Sequence, residues 1–180
     1  NHGVETWNVD GLTIGTVTAR DTAYAGLLLN NTRNANIGLV DGDGAATGTG
    51  YAAFRTANRN GRIGNSYPTN IHVGEVIARG GGRGVFCVSE SGGLVIDRVT
   101  LSNTGNNSVL IENCYNVSIN GGTVNGGGEF RIAARSEFPN TRDVWIQNLT
   151  VTNTGIRESP CGNNVNWINI QLVNSSRNIC

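Results

Sequence analysis

The chain has 180 residues, of which 38% are apolar, 6% aromatic and 14% charged, with 26 Gly and 3 Pro; its core must be built of small aliphatics and its backbone is rich in turns rather than helices. The 13 basic residues are all Arg and balance 13 acidic ones to a formal charge of zero. That balance leaves no electrostatic footprint for nucleic acid or an anionic membrane surface, and the absence of Lys excludes a P-loop lysine or Schiff-base chemistry.

Taken in chain order, the elements come in pairs. A short strand at residues 4–6 is followed by an alternating apolar segment at 12–17, centred on Ile14. Residues 27–29 and 36–40 repeat the pair. A longer third coil leads to 71–76, after which come 86–88 with 95–99, 109–111 with 117–119, 132–134 with 144–149, and finally 168–172. The anchors of the second segment are Ile or Val at 14, 37, 73, 96, 119, 146 and 170, spaced by 23, 36, 23, 23, 27 and 24 residues. Alternation of period two over four to six residues predicts strands, and a fixed period of about two dozen predicts a repeat architecture. A leucine-rich solenoid would need a helix in each repeat, which these Gly- and Asn-rich connections disfavour. The reading is all-β: a right-handed parallel β-helix of about seven coils, stacked roughly 4.8 Å apart.

The spacing predicts inward columns of Val4, Leu27, Phe86, Val109 and Ile132, and of Ile14, Ile37, Val73, Ile96 and Ile119. Outward columns are predicted for Trp7, Asn30, Ser89, Glu112 and Arg135, and for Glu5, Leu28, Cys87, Leu110 and Ala133. Asn34 and Asn116 fall at turns, where stacked amides bond one another and left-handed backbone is tolerated. Cys161 and Cys180 are expected to form a disulfide in the last coil; Cys87 and Cys114, placed on opposite sides of the wall by this register, are expected to be free thiols. Residues 1–180 form one domain, and with no capping element before Val4 the chain is read as a fragment or processed part of a longer one. No apolar stretch is long enough to cross a bilayer, so no membrane partner is expected.

Residues 108–119, Ser-Val-Leu-Ile-Glu-Asn-Cys-Tyr-Asn-Val-Ser-Ile, resemble the generic coil of the pectate-lyase-like right-handed β-helix superfamily, and the likeness extends over the whole chain. Members of that superfamily include polysaccharide lyases, glycoside hydrolases, epimerases, phage tailspikes and adhesins, so the resemblance implies a fold more firmly than a reaction. It implies a substrate lying along the outer face of one sheet. Pectate lyases carry an Arg-x-Pro-x-x-Arg motif whose first Arg is the base; here Pro139 and Arg142 match, but Glu137 stands in the place of that first Arg.

The candidate site follows from the outward columns and insertions. Glu112, Arg135 and Glu137 are the candidate catalytic residues: an acid beside an Arg suits a uronate, and Glu112 with Glu137 is the one convenient carboxylate pair for hydrolysis. An exposed cross-strand ion pair is the alternative reading of Glu112 and Arg135. Arg131, Arg142, Arg55 and Trp7 are the candidate substrate-binding residues. Arg55 begins an insertion, residues 55–62, that carries three Arg and is otherwise a solvated turn. Trp7, Trp145 and Trp167 offer rings for sugar stacking but fall on different faces or in terminal coils, where end-packing is the more economical account. No residue is assigned as a metal ligand; calcium is raised only by residues 41–44, Asp-Gly-Asp-Gly, which read as a turn and lack a closing Glu. The expected function is that of a secreted, carbohydrate-active protein cleaving an acidic polysaccharide as a lyase or glycoside hydrolase. The alternative is a non-catalytic glycan-binding or structural β-helix module.

Overall fold

The computed structural model describes residues 1–48 and 50–180. These form an all-β parallel solenoid of about eight turns, without helix. The first sheet climbs through β1 (Val4–Trp7), β3 (Leu27–Asn30), β5 (Ala52–Ala57), β7 (Arg83–Cys87), the end of β8 (Gly92–Glu112), the end of β10 (Gly122–Ala133), β12 (Gly155–Glu158) and β14 (Ser176–Asn178). The second climbs through β2 (Asp10–Arg20), β4 (Arg33–Asp43), β6 (Ile71–Arg79), the start of β8, β9 (Tyr115–Ile119) with the start of β10, β11 (Arg142–Thr152) and β13 (Asn163–Val173). Seven anchors mark seven rungs of this second sheet; the additional turn comes from β14, whose Ser-Arg-Asn carries no apolar alternation to announce it.

The core is one continuous cluster of Val, Ile, Leu and Phe, with Leu27, Phe54, Val109, Phe130, Ile37, Val73, Ile96 and Ile119 fully buried. By area removed from water, each such side chain contributes about 1.5–3 kcal/mol. The column through Ile14, Ile37, Val73, Ile96 and Ile119 stands as expected and continues to Ile146, but its last member is Trp167; Ile170 pairs with Leu149 instead. In the first sheet the inward column is Val4, Leu27, Phe54, Val85, Val109, Phe130 and Ile156. Phe86 therefore lies outside the wall and Cys87 inside, the reverse of the expectation. A one-residue slip exchanges every side chain between the two faces. Ile132 pairs with Ile111 rather than Val109, because a register shift between Gly127 and Phe130 shortens that coil.

The same correction explains the cysteines. Cys87 and Cys114 are both fully buried and form a disulfide between successive coils, where free thiols were expected. The Cys161–Cys180 disulfide forms as expected. Asn8, Asn31, Asn34, Asn116, Asn148, Asn153, Asn169 and Asn174 all have positive φ, but Asn34 and Asn116 lie within β4 and β9 rather than in turns, and their amides donate to Asp10 and to the Tyr67 carbonyl rather than to another Asn. Ladders link coil to coil, with Asn31 donating to Asn8 at 2.6 Å, Asn169 to Asn148 at 2.8 Å and Asn174 to Asn153 at 2.8 Å. No helix among the described residues is long and apolar enough to cross a membrane.

Candidate functional site

On the outer face of the first sheet the register aligns Glu5, Leu28, Arg55, Phe86, Leu110, Arg131 and Arg157. Three of these are apolar and face away from the core, yet Leu28, Phe86 and Leu110 are only 3%, 6% and 5% exposed. Phe86 and Leu110 form a second small apolar cluster with Ala52, Ala57, Val88 and Ala133. This outer cluster is covered by guanidinium groups: Arg55 lies 5.2 Å and Arg83 4.7 Å from the centre of the Phe86 ring. Burial pulls both guanidinium groups below their ordinary pKa, although they remain protonated throughout the usual range. Neither forms a salt bridge among the described residues, and Nε of Arg55 and Nη1 of Arg83 have neither solvent nor a protein acceptor.

Beside this floor the segment between β10 and β11 folds back as a wall. Asn113, 1% exposed and with φ 55°, holds it in place. Its Nδ2 donates to the carbonyls of Arg135, Phe138 and Pro139 at 3.0, 3.2 and 2.9 Å, and its Oδ1 accepts from the Arg135 amide at 3.0 Å. Thr141 Oγ1 donates to the Ala133 carbonyl at 2.7 Å and fastens the base of the same segment. Between wall and floor lies a cleft of about 250 Å³ lined by Arg55, Phe86, Glu112, Arg135, Glu137 and Phe138, among others. Arg135 Nε is 3.3 Å from Glu112 and its Nη1 3.6 Å from Glu137. The Glu112 side chain is 11% exposed, whereas Arg135 and Glu137 are 65% and 64% exposed. One carboxylate is thus at the floor, another on the rim, with a guanidinium between them. The buried Cys87–Cys114 disulfide links the end of β7, next to Phe86 and Val88, to the residue two places after Glu112.

The structure therefore brings together Glu112, Arg135, Glu137 and Arg55. Glu112 and Arg135 do not meet as partners in one outward column, as expected, since Glu112 pairs with Ala133; Arg135 reaches it because the segment held by Asn113 turns back. The remaining candidates lie elsewhere. Arg131 is on the same outer column but two rungs above Phe86, donating to the Ser159 carbonyl at 3.3 Å, with its Nε unpartnered. Arg142 stands on the second sheet over the Tyr115 ring, 4.9 Å from its centre. Trp7 is 58% exposed in the first coil, and its indole N–H donates to Glu5 at 2.9 Å. Arg55 lies within β5 rather than in the inserted turn expected at 55–62; the other two Arg of that segment, Arg59 and Arg62, both pair with Glu90, at 2.7 and 3.8 Å, which leaves Arg55 as its cation in the cleft. Trp167 packs against Phe130 near the last coil, as expected.

Asp41 and Asp43 lie within β4 rather than in a turn, and the Asp41 carboxylate is held between Arg20 and Arg79 at 3.0 and 3.1 Å. A carboxylate so engaged is a poor start for a calcium site. Among the described residues, the one cluster with metal-ligand types close together is Glu158, Cys161 and Cys180, whose two cysteines are joined as a disulfide. Sequence reasoning missed Arg83, Asn113 and Phe138 and placed Phe86 on the wrong side of the wall. Arg83 precedes Phe86 by three residues in β7, but Arg55 lies opposite Phe86 on the preceding rung, a neighbour visible only once the register is known.

The site defines a parallel β-helix with a charged cleft on the outside of its first sheet. No protein-family model, curated protein or solved structure matches the chain, so the reading of this cleft rests on its own residues.

Proposed function

We propose that this chain is a carbohydrate-active β-helix protein, related in kind to the pectate-lyase-like superfamily, that cleaves an acidic, uronate-containing polysaccharide in the cleft formed by Arg55, Phe86, Glu112, Arg135 and Glu137. One observation carries the reading: an open cleft brings Arg55, which stands over the Phe86 ring, together with Glu112, Arg135 and Glu137. Half-burying the Arg55 charge with no carboxylate beside it is costly, and a carboxylate brought into the cleft by a ligand would supply the counter-charge. The buried Phe86 ring supports the Arg55 guanidinium from below by a cation–π contact. The two disulfides and the lack of a free cysteine suit an oxidising, extracytoplasmic setting, in keeping with a secreted protein.

Two mechanisms fit these residues. In β-elimination a base removes the sugar C5 proton while the C4–oxygen bond breaks, and the cationic groups steady the charge that develops on the carboxylate. In hydrolysis Glu112 and Glu137 share the roles of acid and base or nucleophile. A second reading, a non-catalytic glycan-binding module, is favoured by a specific feature: Arg135 engages both carboxylates. Incubation with polyuronates and neutral glycans, with and without calcium, separates the cases. New ultraviolet absorbance from unsaturated uronate ends identifies the lyase, and reducing ends without that absorbance identify the hydrolase. Retained binding without cleavage leaves the module, while absence of both binding and cleavage removes the carbohydrate reading.

A further inference from the structure

The cleft does not end at Phe138. A second hollow of about 310 Å³, lined by Asn58, Arg59, Ser89 and Phe138, shares Ser89 and Phe138 with the first. Asn58, Arg59 and Ser89 lie just beyond the ends of β5 and β7, whereas Arg55 and Phe86 lie within those strands, so the second hollow is displaced along the strands rather than up the axis. Joined, the two fall within the roughly 300–1,000 Å³ usual for ligand sites, a range that the first alone does not reach. Charge and backbone both mark this second end. Arg59 Nε lies 2.7 Å from the Glu90 carboxylate, which Arg62 also approaches at 3.8 Å, so two guanidinium groups face one carboxylate, and the Arg59 side chain remains 56% exposed. Asn58, Arg59, Ser89 and Glu90 have φ of 58°, 60°, 60° and 58°, and the Arg59 amide donates to the Ser89 carbonyl at 3.2 Å. Left-handed backbone is unfavourable for Arg, Ser and Glu, and residues held at such a cost cluster at ligand and active sites.

Resting on the acidic-glycan reading above, we infer that the second hollow is a subsite for a further acidic sugar of the same polymer, with Arg59 holding its carboxylate, so that the glycan crosses the coils along the strand direction instead of following the solenoid axis. Arg59, Arg62 and Glu90 together carry one positive charge in excess, which attracts an anion and gives a neutral sugar no equivalent gain. Arg55 and Arg59 are four residues apart on one rung, a span of at most about 14 Å, so carboxylates on nearby sugars of one chain reach both. The axial route offers no such continuity. Going up the outer column from Arg55, the apolar Phe86 and Leu110 intervene before Arg131, which lines neither hollow and donates to the Ser159 carbonyl.

The test uses the intact chain and two probes, hexagalacturonate and its fully methyl-esterified form, with affinities read by calorimetry, in a Glu112→Gln background if the wild-type chain cleaves them. Arg59→Gln should weaken the acid about 2- to 5-fold, the upper span of an exposed ion pair, and leave the ester within about twofold. The loss should persist when Glu90→Gln is present in both proteins, which separates a direct hold on the ligand from the unmasking of Glu90. Arg55→Gln should also weaken the acid, and Arg131→Gln should leave it within about twofold. No loss of acid binding from Arg59→Gln, an equal loss for acid and ester, a loss abolished by Glu90→Gln, or a larger loss from Arg131→Gln than from Arg59→Gln overturns the second subsite while leaving the acidic-glycan reading intact. Failure of Arg55→Gln to weaken the acid, or of the wild-type chain to bind it, overturns that reading and the subsite with it.

Discussion

Replacing Asn113 should detach the wall of the cleft without dismantling the solenoid. Its side chain makes four contacts with backbone groups of the 135–139 segment, but the two hydrogens on Nδ2 serve three carbonyls, so two donated bonds and one accepted bond hold at full strength together. At about 1 kcal/mol net for each, Asn113→Gly should cost about 3 kcal/mol. Asn113→Ala should cost a further 1–2 kcal/mol or so, since its φ of 55° lies where a Cβ is unwelcome. Urea denaturation compares the stabilities. Hydrogen exchange at the Arg135 amide, which donates to Asn113 Oδ1, reports the wall itself and should accelerate in both variants. An Asn113→Ala protein within about 0.5 kcal/mol of wild type, with the Arg135 amide still protected, would show that the segment is held by something other than this side chain.

Three further outcomes are expected. Denatured, unreduced protein should show no free thiol, and replacing Cys87 and Cys114 together by Ala should cost about 2–4 kcal/mol in urea melts; a thiol titre of two would refute the pairing. Asp41 has its pKa lowered from 3.8, chiefly by its hydrogen bond from Arg20, so it binds protons less readily folded than unfolded. Its contribution is complete above the unfolded value and is lost as pH falls through the folded one, so the stability gap between wild type and Asp41→Asn should shrink on acidification across that window; a gap that widens there contradicts the ion triad. Finally, Glu112→Gln should lower cleavage about 10²- to 10⁴-fold while glycan affinity changes far less; cleavage at wild-type rate would remove Glu112 from the chemistry.

The stacking of coils was legible because Ile and Val recur at a near-constant interval and each alternates with polar residues. Where coil length departs from that interval, the reading slipped. The third coil hid β5 behind its insertion, so Phe54 was not seen as the partner of Leu27, and Phe86 was carried inward in place of Val85. The misplaced thiols followed from that single slip. The pairing of Glu112 with Arg135 was anticipated, yet as direct partners in one outward column; Glu112 faces Ala133 there, and a loop fastened by one amide brings Arg135 back to it. Arg83 and Phe138 left no periodic signal, because Arg83 reaches the Phe86 ring by side-chain direction and Phe138 reaches the cleft by loop return rather than by position in a repeat.

Because each rung bonds only to the rungs above and below it, loosening of either extremity has to travel through intervening turns before it reaches the middle. Arg55, Phe86 and Glu112 occupy the third to fifth rungs of the first sheet's eight. A protease nick or thermal breathing in an outermost turn would therefore leave the charged pocket at work, buffered by the neighbours on either side.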